Sequence, residues 1–265
     1  MATAATGQGN TQAFSARAPR VRANLRFEHL VFSGLAAIIL AAVFLGFAQT
    51  FYLRGILTIP AWKAFAVPPL PLLVQIHGAI FSSWILLLTT QTSLVTAHRV
   101  DLHRRLGFVG FVLACLLVLV GLATTCQMLA RRFTPGDPRL RFPFLQVVDM
   151  IVFSTLICFG YRQRRNPAAH KRLMLIGTIT LLDAVFVRWP VLVVGNFLVA
   201  EMCCYALLLL LAGYDLWSMG KVHRATLWAS AVLIISHHPI LSIFAQHLIW
   251  HRFAIYMQTL GRHLY

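Results

Sequence analysis

Seven stretches of this chain are apolar for longer than a soluble strand or a short surface helix requires. They run His29–Thr50, Leu70–Val95, Leu106–Met128, Phe144–Gly160, Ala168–Trp189, Val191–Leu216 and Ala225–His247. Each is close to the roughly 20 residues that a helix needs to cross the hydrocarbon core of a bilayer. In lipid, every backbone polar group must be satisfied within the protein, so spanning segments are helices or closed barrels. The expected fold is therefore all-α: a polytopic transmembrane bundle of about seven spans. Composition agrees. Apolar residues make up 59% of the chain and charged residues 11%, against roughly 45–50% and 25% in soluble domains. So few charges cannot cover a water-facing surface, which excludes a soluble enzyme, and so apolar a chain is not disordered.

The charge that remains is strongly basic, with 23 Lys and Arg against 7 Asp and Glu and a net charge of +16. In a membrane protein, basic residues collect in short loops and set orientation. With the N-terminus inside, the inner segments hold fourteen of them and the outer segments nine. The expected topology is N-terminus inside and C-terminus outside, in a bacterial inner (cytoplasmic) membrane. Residues 1–25 read as a basic cytoplasmic tail and 26–265 as a single transmembrane domain. Segments 51–69 and 248–265 mix aromatic and basic residues and read as interfacial. Pro190 leaves almost nothing between the fifth and sixth runs, which predicts a tight hairpin. No basic stretch is built as a soluble nucleic-acid module, so the partner is the lipid bilayer and not nucleic acid. The five cysteines form no CxxC pair and read as small buried hydrophobes. No P-loop, GxSxG, HExxH or dinucleotide fingerprint is present.

Three groups of residues stand out within the spans. The first is a stripe in the second run: His77, Trp84, Gln91 and His98, each seven residues from the next. On one helix they lie near one face over about 31 Å. Lipid disfavours such a line, so it should face the bundle interior, as interhelical hydrogen bonds or as a cofactor surface.

The second is a repeated opening, His103-Arg-Arg-Leu and His170-Lys-Arg-Leu, at the start of the third and fifth runs, with Gly seven places after His in both. Orientation explains the basic residues but not the histidines. The helix macrodipole disfavours a cation at a helix N-terminus, and a neutral imidazole there is a metal or haem ligand. His29 and His223 occupy similar positions and are adequately explained as amphipathic interfacial side chains.

The third group is a set of buried ionisable residues toward the outer half: Asp149, Asp183, Arg188 and Glu201, with His237 and His238 just before Pro239. A charge at mid-membrane costs roughly 2.5–3.5 kcal/mol on insertion scales. These groups must be paired, protonated or ligating, with Arg188 an obvious partner for Asp183 or Glu201. His77, Asp149, His237 and His238 form a candidate metal set. Asp183, Arg188 and Glu201 form a candidate proton or ligand site.

The segments HGAIFSSWILLLTTQTSLV, DLHRRLGFVG, NPAAHKRLMLIGTITLLDA and RWP resemble a group of uncharacterised bacterial multi-pass membrane proteins. The histidine-bearing helices are also loosely similar to cytochrome b561-type proteins, which hold haems between pairs of histidines. That resemblance implies haem b between His103 and His170; the second pair departs from the pattern, because His77 of the second span meets Asp149 of the fourth and not a histidine.

Three functions follow as expectations. The first is a membrane redox, haem-binding or metal-binding protein, in which His77, Trp84, Gln91, His103 and His170 bind the cofactor and the outer site takes a metal ion, a quinone or another small hydrophobic ligand. The second is a small-molecule or proton-coupled transporter built on the intramembrane acids. The third is an assembly or scaffold subunit of a membrane complex.

Overall fold

The computed structural model describes residues 18–57, 69–132, 141–189, 197–237 and 248–264. Helices account for nearly all of them, and no β-strand is present among the described residues. The helices are α1 (Ala18–Phe47), α2 (Leu72–Thr96), α3 (Val100–Arg132), α4 (Arg141–Arg162), α5 (Pro167–Ile179), α6 (Asp183–Phe186), α7 (Phe197–Met219), α8 (Arg224–His237) and α9 (Leu248–Leu264). A π-helical turn, Ala48–Tyr52, extends α1. Five segments among the described residues are long and apolar enough to cross a membrane: Phe27–Tyr52, Leu72–Thr96, Val100–Ala130, Pro143–Arg162 and Phe197–Met219. They mark a membrane protein. Large apolar side chains such as Leu209, Leu119, Phe108 and Trp217 stay exposed on the outside of the bundle, where lipid replaces water as their neighbour.

Consecutive helices pack side by side from α1 through α5, α8 lies against α4 and α5, and α6 lies against α7 and α1. One continuous core results, centred on Ile39, Trp84, Phe153, Ile176, Leu182 and Leu211. A smaller cluster joins Leu129 of α3 to Trp250 and Ala254 of α9. The 17-residue α9, among the segments read as interfacial, is thus moored to α3.

The fifth apolar run differs from expectation, because it is not one helix. Pro167 opens α5 and the Asn166 side chain caps it, accepting from Ala169 N at 3.3 Å. The helix stops at Ile179. Thr178 and Thr180 turn their hydroxyls back onto the carbonyls of Met174 and Ile176, at 2.9 and 3.2 Å. Such back-bonding loosens and bends a helix. Leu181 and Leu182 then bond three residues back, to Thr178 and Ile179, before the single turn of α6. The seventh run is helical as far as His237. The hairpin expected at Pro190, Pro239 itself and most of segment 51–69 lie outside the described residues.

The polar stripe of α2 also changes. His77, Trp84 and Gln91 lie on the helix, but α2 ends at Thr96. His98 stands beyond it, exposed, with a left-handed backbone (φ 58°).

Candidate metal centre

Asp149 projects from the interior of α4, Asp183 opens α6 immediately after the break, and His237 is the last residue of α8. The three meet. Their ligating atoms all lie within 4.8 Å of one another. His237 Nε2 donates to Asp149 Oδ1 at 2.9 Å, and both side chains are buried. Asp183 turns one oxygen onto the amide of Ala184. His237 Nδ1 is buried without a hydrogen-bond partner. Two carboxylates and one imidazole form a mixed oxygen and nitrogen donor set of the kind that holds zinc, manganese or iron.

The surroundings collect much of the remaining charge expected on this side. Glu201 and Cys204, on adjacent turns of α7, lie within electrostatic reach of Asp149. Arg188, just past α6, donates to the carbonyl of Ala184 and lies over the Phe47 ring at 5.1 Å. Its charge acts on both Asp183 and His77. His77 sits beside Gly121 of α3, and its Nδ1 is buried without a partner. His238 lies outside the described residues.

Trp84 and Gln91 do not reach this centre through any described hydrogen bond. The Trp84 indole donates to Thr178 Oγ1 at 3.2 Å and meets Phe153 edge-on, with centroids 5.4 Å apart. It ties α2 to α5 and α4. Gln91 presents its backbone carbonyl to His103, while its side-chain oxygen is buried without a partner.

His103 and His170 come together at the opposite end of the bundle. Their ring centroids are 6.2 Å apart, edge to face. His170 Nδ1 donates to the carbonyl of Gly160 at 2.8 Å. This fixes the ring and leaves Nε2 with its lone pair, as a carbonyl bonded to the other ring nitrogen does for ligating histidines.

The same basic end contains a feature that sequence reasoning missed. Arg172 and Asp215 are fully buried, and Arg172 Nε lies 3.0 Å from Asp215 Oδ1. Asp215 also accepts from Thr226 Oγ1 and from the amide of His223. Arg172 Nη1 donates to the Ala168 carbonyl at 2.8 Å. Beside this knot, Lys171 pairs with Glu28 of α1. The rule that picked out Asp149 applies equally to Asp215, an acid inside an apolar run. Arg172, counted among the basic residues that set orientation, instead locks α5 to α7 and α8. No protein-family model matches this chain, and no curated protein or solved structure is detectably similar to it.

Proposed function

We propose that this chain is an integral membrane metalloprotein acting in electron or proton transfer, with Asp149, Asp183 and His237 as its metal centre. The observation that carries the reading is the convergence of two carboxylates and an imidazole from three helices within 4.8 Å. Two carboxylates so close, Asp149 buried and Asp183 half-buried, repel each other and are costly in lipid. A divalent cation cancels both, and the neighbouring Arg188 and Glu201 carry opposite charges. Three protein ligands leave a coordination position for water or for a small ligand such as a quinone. The hydrogen-bonded pair His237–Asp149 is a ready proton carrier.

At the basic end, the locked imidazole of His170 and the facing ring of His103 support haem b as a second group. His103 and His170, whose ring centroids are 6.2 Å apart, would be the residues that hold it. When bound, haem supplies one-electron chemistry; the chain's own part is to orient the two rings and exclude water. In this reading the basic end faces the cytoplasm, residues 26–265 form one domain, and the fifth and seventh runs complete seven crossings.

The break between α5 and α6 favours a second reading, a proton-coupled transporter, because discontinuous helices beside buried acids form the substrate sites of transporters. Purified full-length protein should bind one equivalent of zinc or manganese. Asp149→Asn and Asp183→Asn should lose it while eluting as the wild type does. Binding that survives both substitutions overturns the metal centre. Absence of a Soret band overturns the haem.

A further inference from the structure

His98 is the one non-glycine residue with a positive φ among the described residues. It stands just past α2, at the position where helices commonly end on glycine. His98 N donates to Val95 O at 3.1 Å, and Arg99 N donates to Leu94 O at 2.8 Å. Together these bonds close α2 as a Schellman cap, whose left-handed residue is ordinarily glycine because a Cβ is strained there. The chain uses glycine for the comparable task after α7, where Gly220 has φ 68°. A histidine at this turn therefore carries strain that glycine would remove, and strain is retained where it places a functional group.

The strained turn places the His98 ring against another histidine. Its centroid lies 6.2 Å from that of His29 on α1, with the planes inclined at 61°. One turn along α1, Ser33 Oγ and Thr96 Oγ1 are hydrogen-bonded at 3.0 Å and clamp the two helices together. His98 is exposed and His29 half-buried, so both rings are reachable from water. The charged residues next to them in the chain are already matched: Arg99 lies 3.8 Å from Asp101, and Glu28 is paired with Lys171.

We infer that His29 and His98 form a second metal site, open to water, that takes a copper(II)-class cation through two imidazoles, with waters completing the coordination. Two imidazoles on one metal, with bonds of about 2 Å, bring their ring centroids to roughly 5–6 Å. The present centroid separation of 6.2 Å lies just beyond that range. Copper(II) stands at the top of the affinity order for divalent ions and accepts a tetragonal site of two nitrogens and water. The site does not depend on the Asp149 centre, which lies toward the far end of α1.

The test is copper(II) titration of the full-length protein carrying Asp149→Asn and Asp183→Asn, which removes the other centre, followed by electron paramagnetic resonance. One copper with hyperfine structure from two nitrogens is expected. Both His29→Gln and His98→Gly should weaken binding at least tenfold and abolish the two-nitrogen signal. His98→Gly should at the same time raise the melting temperature, because glycine takes the left-handed turn freely. Copper affinity unchanged by His98→Gly, or a two-nitrogen signal that survives His29→Gln, overturns the site. So does a His98→Gly protein that melts lower and binds copper as before.

Discussion

Arg172 of α5 and Asp215 of α7 are buried together, with Arg172 Nε 3.0 Å from Asp215 Oδ1, and no other described ion pair is as fully withdrawn from solvent. Removing one member of such a pair leaves an uncompensated charge, a loss of about 3–5 kcal/mol. Arg172→Met should therefore lower the melting temperature sharply. The double substitution Arg172→Met with Asp215→Leu should recover most of the loss. Thermal unfolding of the detergent-purified proteins checks this, and a neutral single substitution would count against the role of the pair.

Thr178 Oγ1 accepts the Trp84 indole proton inside the core. Thr178→Val keeps the volume but strands that donor, at a cost of about 1–3 kcal/mol. Thr178→Ser keeps the acceptor and should lie near the wild type. The ordering of the two variants in chemical or thermal unfolding is the measurement.

His223 lies between α7 and α8. Its Nδ1 accepts from the amide of Ala225 at 3.0 Å, capping α8. Burial, and then the charge of Arg172, hold its pKa below the ordinary 6.5. A depressed folded-state value means that the unfolded chain binds the proton more readily. The stabilising contribution is complete above pH 6.5 and is lost as pH falls toward the depressed value. Melting temperature should decline over that window. His223→Asn, which still caps through an oxygen, should flatten the decline.

A methyl group added at Gly46 would stand 2.7 Å from the Val185 carbonyl oxygen, which is backbone and cannot yield. At Gly121 it would meet the Met150 sulfur at 2.9 Å, the end of a flexible side chain. Gly46→Ala should destabilise by about 1–3 kcal/mol and weaken the metal binding proposed at Asp183, whose helix it pushes. Gly121→Ala should do neither. Parallel melting curves and metal titrations of the two variants separate these outcomes.

The helices were legible in the sequence because hydrophobic length maps directly onto helix length in lipid. Asp149, Asp183 and His237 each stood out for the related reason that polar groups at that depth need a use, but their grouping did not: the sequence reading set Asp183 with Arg188 and Glu201, and His77 and His238 with Asp149 and His237, whereas the ligating atoms that meet are those of Asp149, Asp183 and His237. The break in the fifth run was not. Its segment Thr178-Ile179-Thr180 is apolar enough to pass as helix, and hydropathy is blind to a hydroxyl that bonds its own backbone. Asp215 lies so near the end of its run that its burial escaped notice. That burial rests on Arg172, 43 residues earlier in the chain. Spacing assigned His98 to the α2 stripe, whereas the end of the helix decides where its ring goes.

The interruption after Ile179 sets the two acids on separate helices. Asp149 and His237 ride on α4 and α8, which pack with α5. Asp183 rides on α6, which packs on α7 and α1 and is moored there by the Trp189 indole, 3.1 Å from the Ala42 carbonyl. No single rigid helix fixes the gap between the two carboxylates. That gap records how the short α6 is seated against α4 and α8, so whatever occupies it reports on, and in turn sets, the place of that one turn of helix.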